Sequence, residues 1–199
     1  MRLSFKNGIV TLLIALAVLA VGCADGRLMR EAMQKARSSV AASDDAAAIP
    51  LLEQVIAGQH KDDRLAAEAY TLLGEIAARR GRSDEAIRLL TKAVALDSDN
   101  RTRLALAKNC LAAKQFAQAR AVIDGLLKES PHQEEALLLN ASLYMALQEY
   151  RNAQSILEEM LAGGTHPPEA YVLLATIKAR QENATGAMEI LAAGIEKNP

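Results

Sequence analysis

Small and large apolar positions recur along this chain with a long period. Small residues stand at Gly74, Ala107, Ala141 and Ala175, and a second series stands at Ala86, Ala119, Ala153 and Ala187, at intervals of 33 or 34 residues. A bulky apolar residue keeps step at Leu90, Ile123, Leu157 and Leu191. Two helices cross closely only where side chains are small, and bulky side chains fill the hollows beside the crossing. Each interval therefore predicts a pair of helices. One pair cannot bury its apolar face alone, so the pairs must stack. Local signals mark the breaks. The stretch "GRSDEA" offers Ser83 as an N-cap, with Asp84 and Glu85 where the helix dipole favours negative charge. The stretch "GGTHPPEA" is a loop, with Pro168 placed to open the next helix.

The period and these positions resemble the tetratricopeptide repeat, a helix–turn–helix unit of about 34 residues. Tyr70 and Tyr171 stand where that family has its first-helix aromatic, and Leu73, Leu106 and Leu174 at its leucine. Phe116 and Tyr150 fill the aromatic position between the helices. Pro131 and Pro199 match the closing proline, from which Ser98 and Thr165 depart. Asn140 occupies the leucine position of the third unit, where a small rotation of the helix would expose it. The resemblance implies an all-α fold, a right-handed superhelical solenoid of helical hairpins. The expected units are 67–99, 100–133, 134–167 and 168–199.

Residues 28–66 read as a divergent first hairpin. "AAAIPLLEQVIAG" parallels "DEAIRLLTKAVAL", aligning Ala48 with Ala86 and Leu52 with Leu90. Pro50 should kink that helix or delay its start. At the other end no polar capping helix follows the fourth unit. Ile190, Leu191 and Ile195 should then face a partner or a continuation of the array.

The first 22 residues read differently. Arg2 and Lys6 precede an apolar run from Ile9 to Val21, broken only by Thr11. That is the length of a signal h-region and short of the roughly 20 residues of a membrane span. Leu19-Ala20-Val21-Gly22-Cys23 resembles a bacterial lipobox, which implies cleavage before Cys23 and a covalent lipid on its sulfur. An uncleaved anchor or a plain secretory signal would also carry such a run. Residues 23–27 would then be a lipidated start and a short tether. Ala24 in place of Asp favours the outer membrane, facing the periplasm. Several acyl chains would make the attachment effectively permanent.

Composition narrows the function. Aromatics are 3% of the chain and Trp is absent, which suits close-packed helices. A formal charge of −1 gives no basic stripe for nucleic acid. His60, His132 and His166 lie far apart, no phosphate-binding or hydrolase motif is present, and Glu134-Glu135 and Glu158-Glu159 read as solvated faces. Catalytic residues, metal ligands and cofactors, apart from the lipid, are therefore not expected, and the chain is not expected to be an enzyme. Cys110 lies in an apolar pattern and reads as a small buried hydrophobe.

What remains is a surface. In tetratricopeptide proteins the first helices line a concave groove for peptides or partner helices. The register points to Glu75, Arg79, Arg101, Leu104, Lys108, Leu138, Ser142, Met145, Val172, Thr176 and Arg180 as its lining. Leu104, Leu138 and Met145 would form an apolar strip, with Arg79, Arg101, Lys108 and Arg180 ready to pair with acids at its edge. The family's chaperone-tail clamp needs Lys and Asn at positions held here by Thr71, Leu104, Leu138 and Val172, then Glu75, Lys108, Ser142 and Thr176, so it is absent. The layout is similar to tetratricopeptide lipoproteins of pilus biogenesis. It implies a membrane-anchored scaffold whose partner is a secretin, a pilus component or a wall enzyme. Alternatives are an adaptor for peptidoglycan-modifying enzymes and the N-terminal part of a longer export protein.

Overall fold

Helical pairs appear where the 34-residue period places them. The computed structural model describes residues 26–58 and 63–198, and all regular structure among them is helical. In chain order the helices are α1 (26–41), α2 (Asp45–Ala57), α3 (Asp63–Arg79), α4 (Ser83–Leu96) and α5 (Asn100–Ala112). They continue with α6 (Phe116–Glu129), α7 (Glu134–Ala146), α8 (Tyr150–Ala162), α9 (Pro168–Arg180) and α10 (Ala184–Lys197). The lipobox, including Cys23, lies outside the described residues.

The chain forms two compact units. Of the described residues, one holds those up to Arg80 together with Arg88–Ser98, and the other holds Gly81–Ile87 and those from Asp99 to Asn198. In the first, Ala32, Met33 and Ala36 of α1 meet Ala48, Leu52 and Val55 of α2 and Ala69, Leu72 and Ile76 of α3. Ala48 and Leu52 are fully buried in this core. Pro50 does not delay α2, which starts at Asp45 with Asp44 as its cap, accepting from the Ala47 N–H at 3.0 Å. Pro50 and Ala46, the residue whose carbonyl it leaves unpaired, are both exposed, so water can take the lost bond.

In the second unit, α5–α6, α7–α8 and α9–α10 are antiparallel hairpins, and α7 and α9 also pack on the hairpin before them. Every residue of the two small-residue series is buried. Leu90, Ile123 and Leu157 are fully buried, but Leu191 is 42% exposed. With Met188 and Ile195 it forms an apolar stripe on the outer side of α10, whereas Ile190 packs inward against the core. Asn140 does not swing out to solvent but stays half-buried, where Leu106 and Leu174 are buried. Ser83 is the first helical residue of α4 and not its cap, because the Ala86 N–H bonds to the Arg82 carbonyl.

The tight turns share one geometry. Ser43, Gly81, Lys114, Gln148 and Glu182 all have φ between 59° and 72°. In four of the turns the next residue's N–H reaches back five residues, from Asp44 to Ser39, Gln115 to Cys110, Glu149 to Tyr144 and Asn183 to Lys178. This bond satisfies carbonyls that the helix end leaves open.

Candidate partner-binding groove

Three first helices, α5, α7 and α9, lie side by side in the second unit. Their equivalent positions, 34 residues apart, fall into rows that cross all three. Leu104, Leu138 and Val172 form one row, and Ala105, Leu139 and Leu173 form the next. Together they floor an open groove of about 620 Å³. Glu135, Glu169 and Pro168 line it at the starts of α7 and α9, and Lys108 and Ser142 line it on the opposite edge. Val172, the most open floor residue, is 54% exposed.

The floor is apolar because α5, α7 and α9 turn two adjacent stripes inward and outward at once. Leu106, Ala107 and Cys110 of α5 are buried, whereas Leu104, Ala105 and Lys108, two positions before each, line the groove. Cys110 is free and fully buried, and burial raises its thiol pKa, so it is an inert apolar filler. Asp99 anchors the start of α5 by accepting from the Thr102 N–H at 3.0 Å and from its hydroxyl at 2.5 Å.

Five of the expected lining residues meet here: Leu104, Lys108, Leu138, Ser142 and Val172. The other expected residues are not among those that line this cavity. Met145 is half-buried and packs against the core of α7–α9, so the expected strip ends at Leu138 and continues sideways to Leu139 and Leu173. Thr176 is half-buried, and its hydroxyl donates to the Val172 carbonyl at 2.7 Å. Arg180 sets its guanidinium 5.9 Å from the centre of the Tyr150 ring. Arg101 is exposed in the first turn of α5.

Glu75 and Arg79 belong to α3, in the other unit. Glu75 is half-buried. Arg79 bonds Asp45 at 2.5 Å, and Arg80 adds a second contact to the same carboxylate at 3.1 Å. The hydrogen bond from Arg79 holds the Asp45 carboxyl below its usual range, so Arg79 serves the α2–α3 packing.

The expected lining omitted Glu135, Glu169 and the second floor row. The floor row stands one position after Leu104, Leu138 and Val172, and the two acids stand one and two 34-residue repeats after Arg101. Among the described residues no group of His, Cys, Asp and Glu is placed to hold a metal ion, and no helix is long and apolar enough to cross a membrane.

Two tetratricopeptide-repeat family models match the chain, one over residues 33–101 and one over 77–143 and 111–162. Together they span well over half of it. The chain is a tetratricopeptide repeat protein. Tetratricopeptide repeats are protein-interaction scaffolds and not enzymes. Solved repeat structures agree on the fold. The MamA 41-end structure from Desulfovibrio magneticus RS-1 has a TM-score of 0.70 at 16% identity, covering 86% of this chain and 94% of that one. A tetratricopeptide repeat protein from Parabacteroides merdae ATCC 43184 has a TM-score of 0.72 at 22% identity, covering 86% and 68%. In sequence the chain is similar to cellulose synthase operon protein C of Pseudomonas fluorescens (strain SBW25), 42% identical over 78 residues. That match takes in 37% of this chain and only 6% of the larger protein.

Proposed function

We propose that this tetratricopeptide repeat protein is a non-catalytic scaffold that seats a segment of a protein partner across α5, α7 and α9. The observation that carries the reading is the apolar groove lined by Leu104, Leu138, Leu139, Val172 and Leu173. A solvent-facing apolar floor with polar edges is what an interaction site needs and an ordinary surface lacks. The test is co-purification from envelope extracts, comparing the chain with Leu138→Glu and Val172→Glu. A partner retained by the chain and lost by both variants supports the reading. Equal capture by all three overturns it.

The scaffold would be held at the bacterial envelope by a lipid on Cys23. The lipobox-like run ending at Cys23 supports this. Mass spectrometry of the detergent-extracted protein tests it. The expected product begins at Cys23 and carries the added mass of a diacylglyceryl group, and an unmodified start overturns the anchor. Assembly of a pilus or secretion complex is the role proposed for such an anchored groove. The match to cellulose synthase operon protein C supports a second reading, in which the groove serves polysaccharide export. Deleting the gene and scoring pilus assembly against exopolysaccharide separates the two.

A further inference from the structure

The two edges of the groove differ in charge. Glu135 of α7 and Glu169 of α9 are equivalent residues one repeat apart, both exposed and both lining the cavity. Neither forms an ion pair with another described residue. Each sits in a first turn, where the positive end of the helix dipole offsets about half a charge. The edge over α7 and α9 therefore stays net negative. On the opposite edge, at the α5 end, stands Lys108, exposed and also unpaired. Parallel helices pack 8–10 Å apart, so the three span about 20 Å, which an extended chain covers in roughly six residues.

Resting on the groove reading above, we propose that the occupant is a short, basic-apolar segment of a protein partner. Its apolar side chains lie on the Leu138 and Leu139 rows, and its Lys or Arg residues pass beside Glu135 and Glu169. The floor supplies affinity, and the edges decide which segments fit and in which direction. An acidic tail meets like charge over α7 and α9 and is rejected, the opposite selectivity to a carboxylate clamp.

The experiment is a selection of random dodecapeptides displayed against the full chain, counter-selected on Leu138→Glu. The best peptide is then titrated against Glu135→Gln/Glu169→Gln and Glu135→Lys/Glu169→Lys. Melting curves confirm that each variant is folded. The expected peptides pair large apolar residues with Lys or Arg on one side. Their affinity falls roughly fivefold on the glutamine variant, and the lysine variant selects acidic peptides instead. Peptides that depend on Leu138 but lack a basic bias, or bind the glutamine variant unchanged, overturn this inference and leave the groove standing. No enrichment over Leu138→Glu overturns both.

Discussion

Lys114, Gln148 and Glu182 share no chemistry, yet each holds a left-handed backbone at the bend of a hairpin. Such a backbone costs a side chain about 1–2 kcal/mol, and only Gly81 among the five avoids that cost. A position with a different residue in each repeat leaves no trace in the chain, which is why four of these bends could not be read from it. Gln148→Gly should stabilise the protein by about 0.5 kcal/mol, after the extra freedom of glycine in the unfolded chain is subtracted. A small rise in Tm checks it. Gly194 is the reverse case. A Cβ there would lie 2.8 Å from Tyr171 Cβ and Cγ, so Gly194→Ala should cost about 1 kcal/mol in spite of alanine's better helix propensity. Asp45 adds a pH dependence. Its folded-state pKa is depressed, so its contribution is present at neutral pH and is lost as pH falls below its usual value of 3.8. The Tm gap between the chain and Asp45→Asn should be open at pH 7 and close in acid.

At the scale of the element, periodicity carried most of the information. The small and bulky series placed the helical pairs because each marks a crossing that must be close. Boundaries were harder. α2 accepts Pro50 in its interior because the ring and the carbonyl it frees both face water, a fact of orientation that a proline in a sequence does not declare. Pro50→Ala should therefore stabilise α2 by roughly 1–3 kcal/mol, read as a higher Tm with unchanged circular dichroism. Arg103 was invisible for a related reason. It lies in α5 between Thr102 and Leu104, is only 8% exposed, and reaches Glu129 of α6 at 2.6 Å. A charge with an apolar stem reads as surface until its partner is seen. Glu129→Ala leaves that guanidinium without its carboxylate and should lower stability by about 1 kcal/mol, measured by urea titration.

For the whole molecule, the fold class was legible and the address rests on residues that precede the described chain. The groove was half legible. Leu104, Lys108, Leu138, Ser142 and Val172 followed from register, since first-helix positions repeat every 34 residues. Register gives a face and not a partner, so the contacts of Arg79 with Asp45 and of Arg180 with Tyr150 could not be read from it. Packing at Cys110 offers a direct reading of intactness. Its thiol should resist alkylation in the native protein and react fully in denaturant, as mass shift after iodoacetamide will report.

The rows that floor the groove are generated by a period, so their number is set by how many times that period is copied. A tandem duplication of residues 134–167 would insert one more Leu–Leu step and one more acid along the same edge, lengthening the trough by about 10 Å without new chemistry. A lineage could thus track a partner whose docking segment grows or shrinks simply by gaining or losing copies, with no need to redesign any single contact.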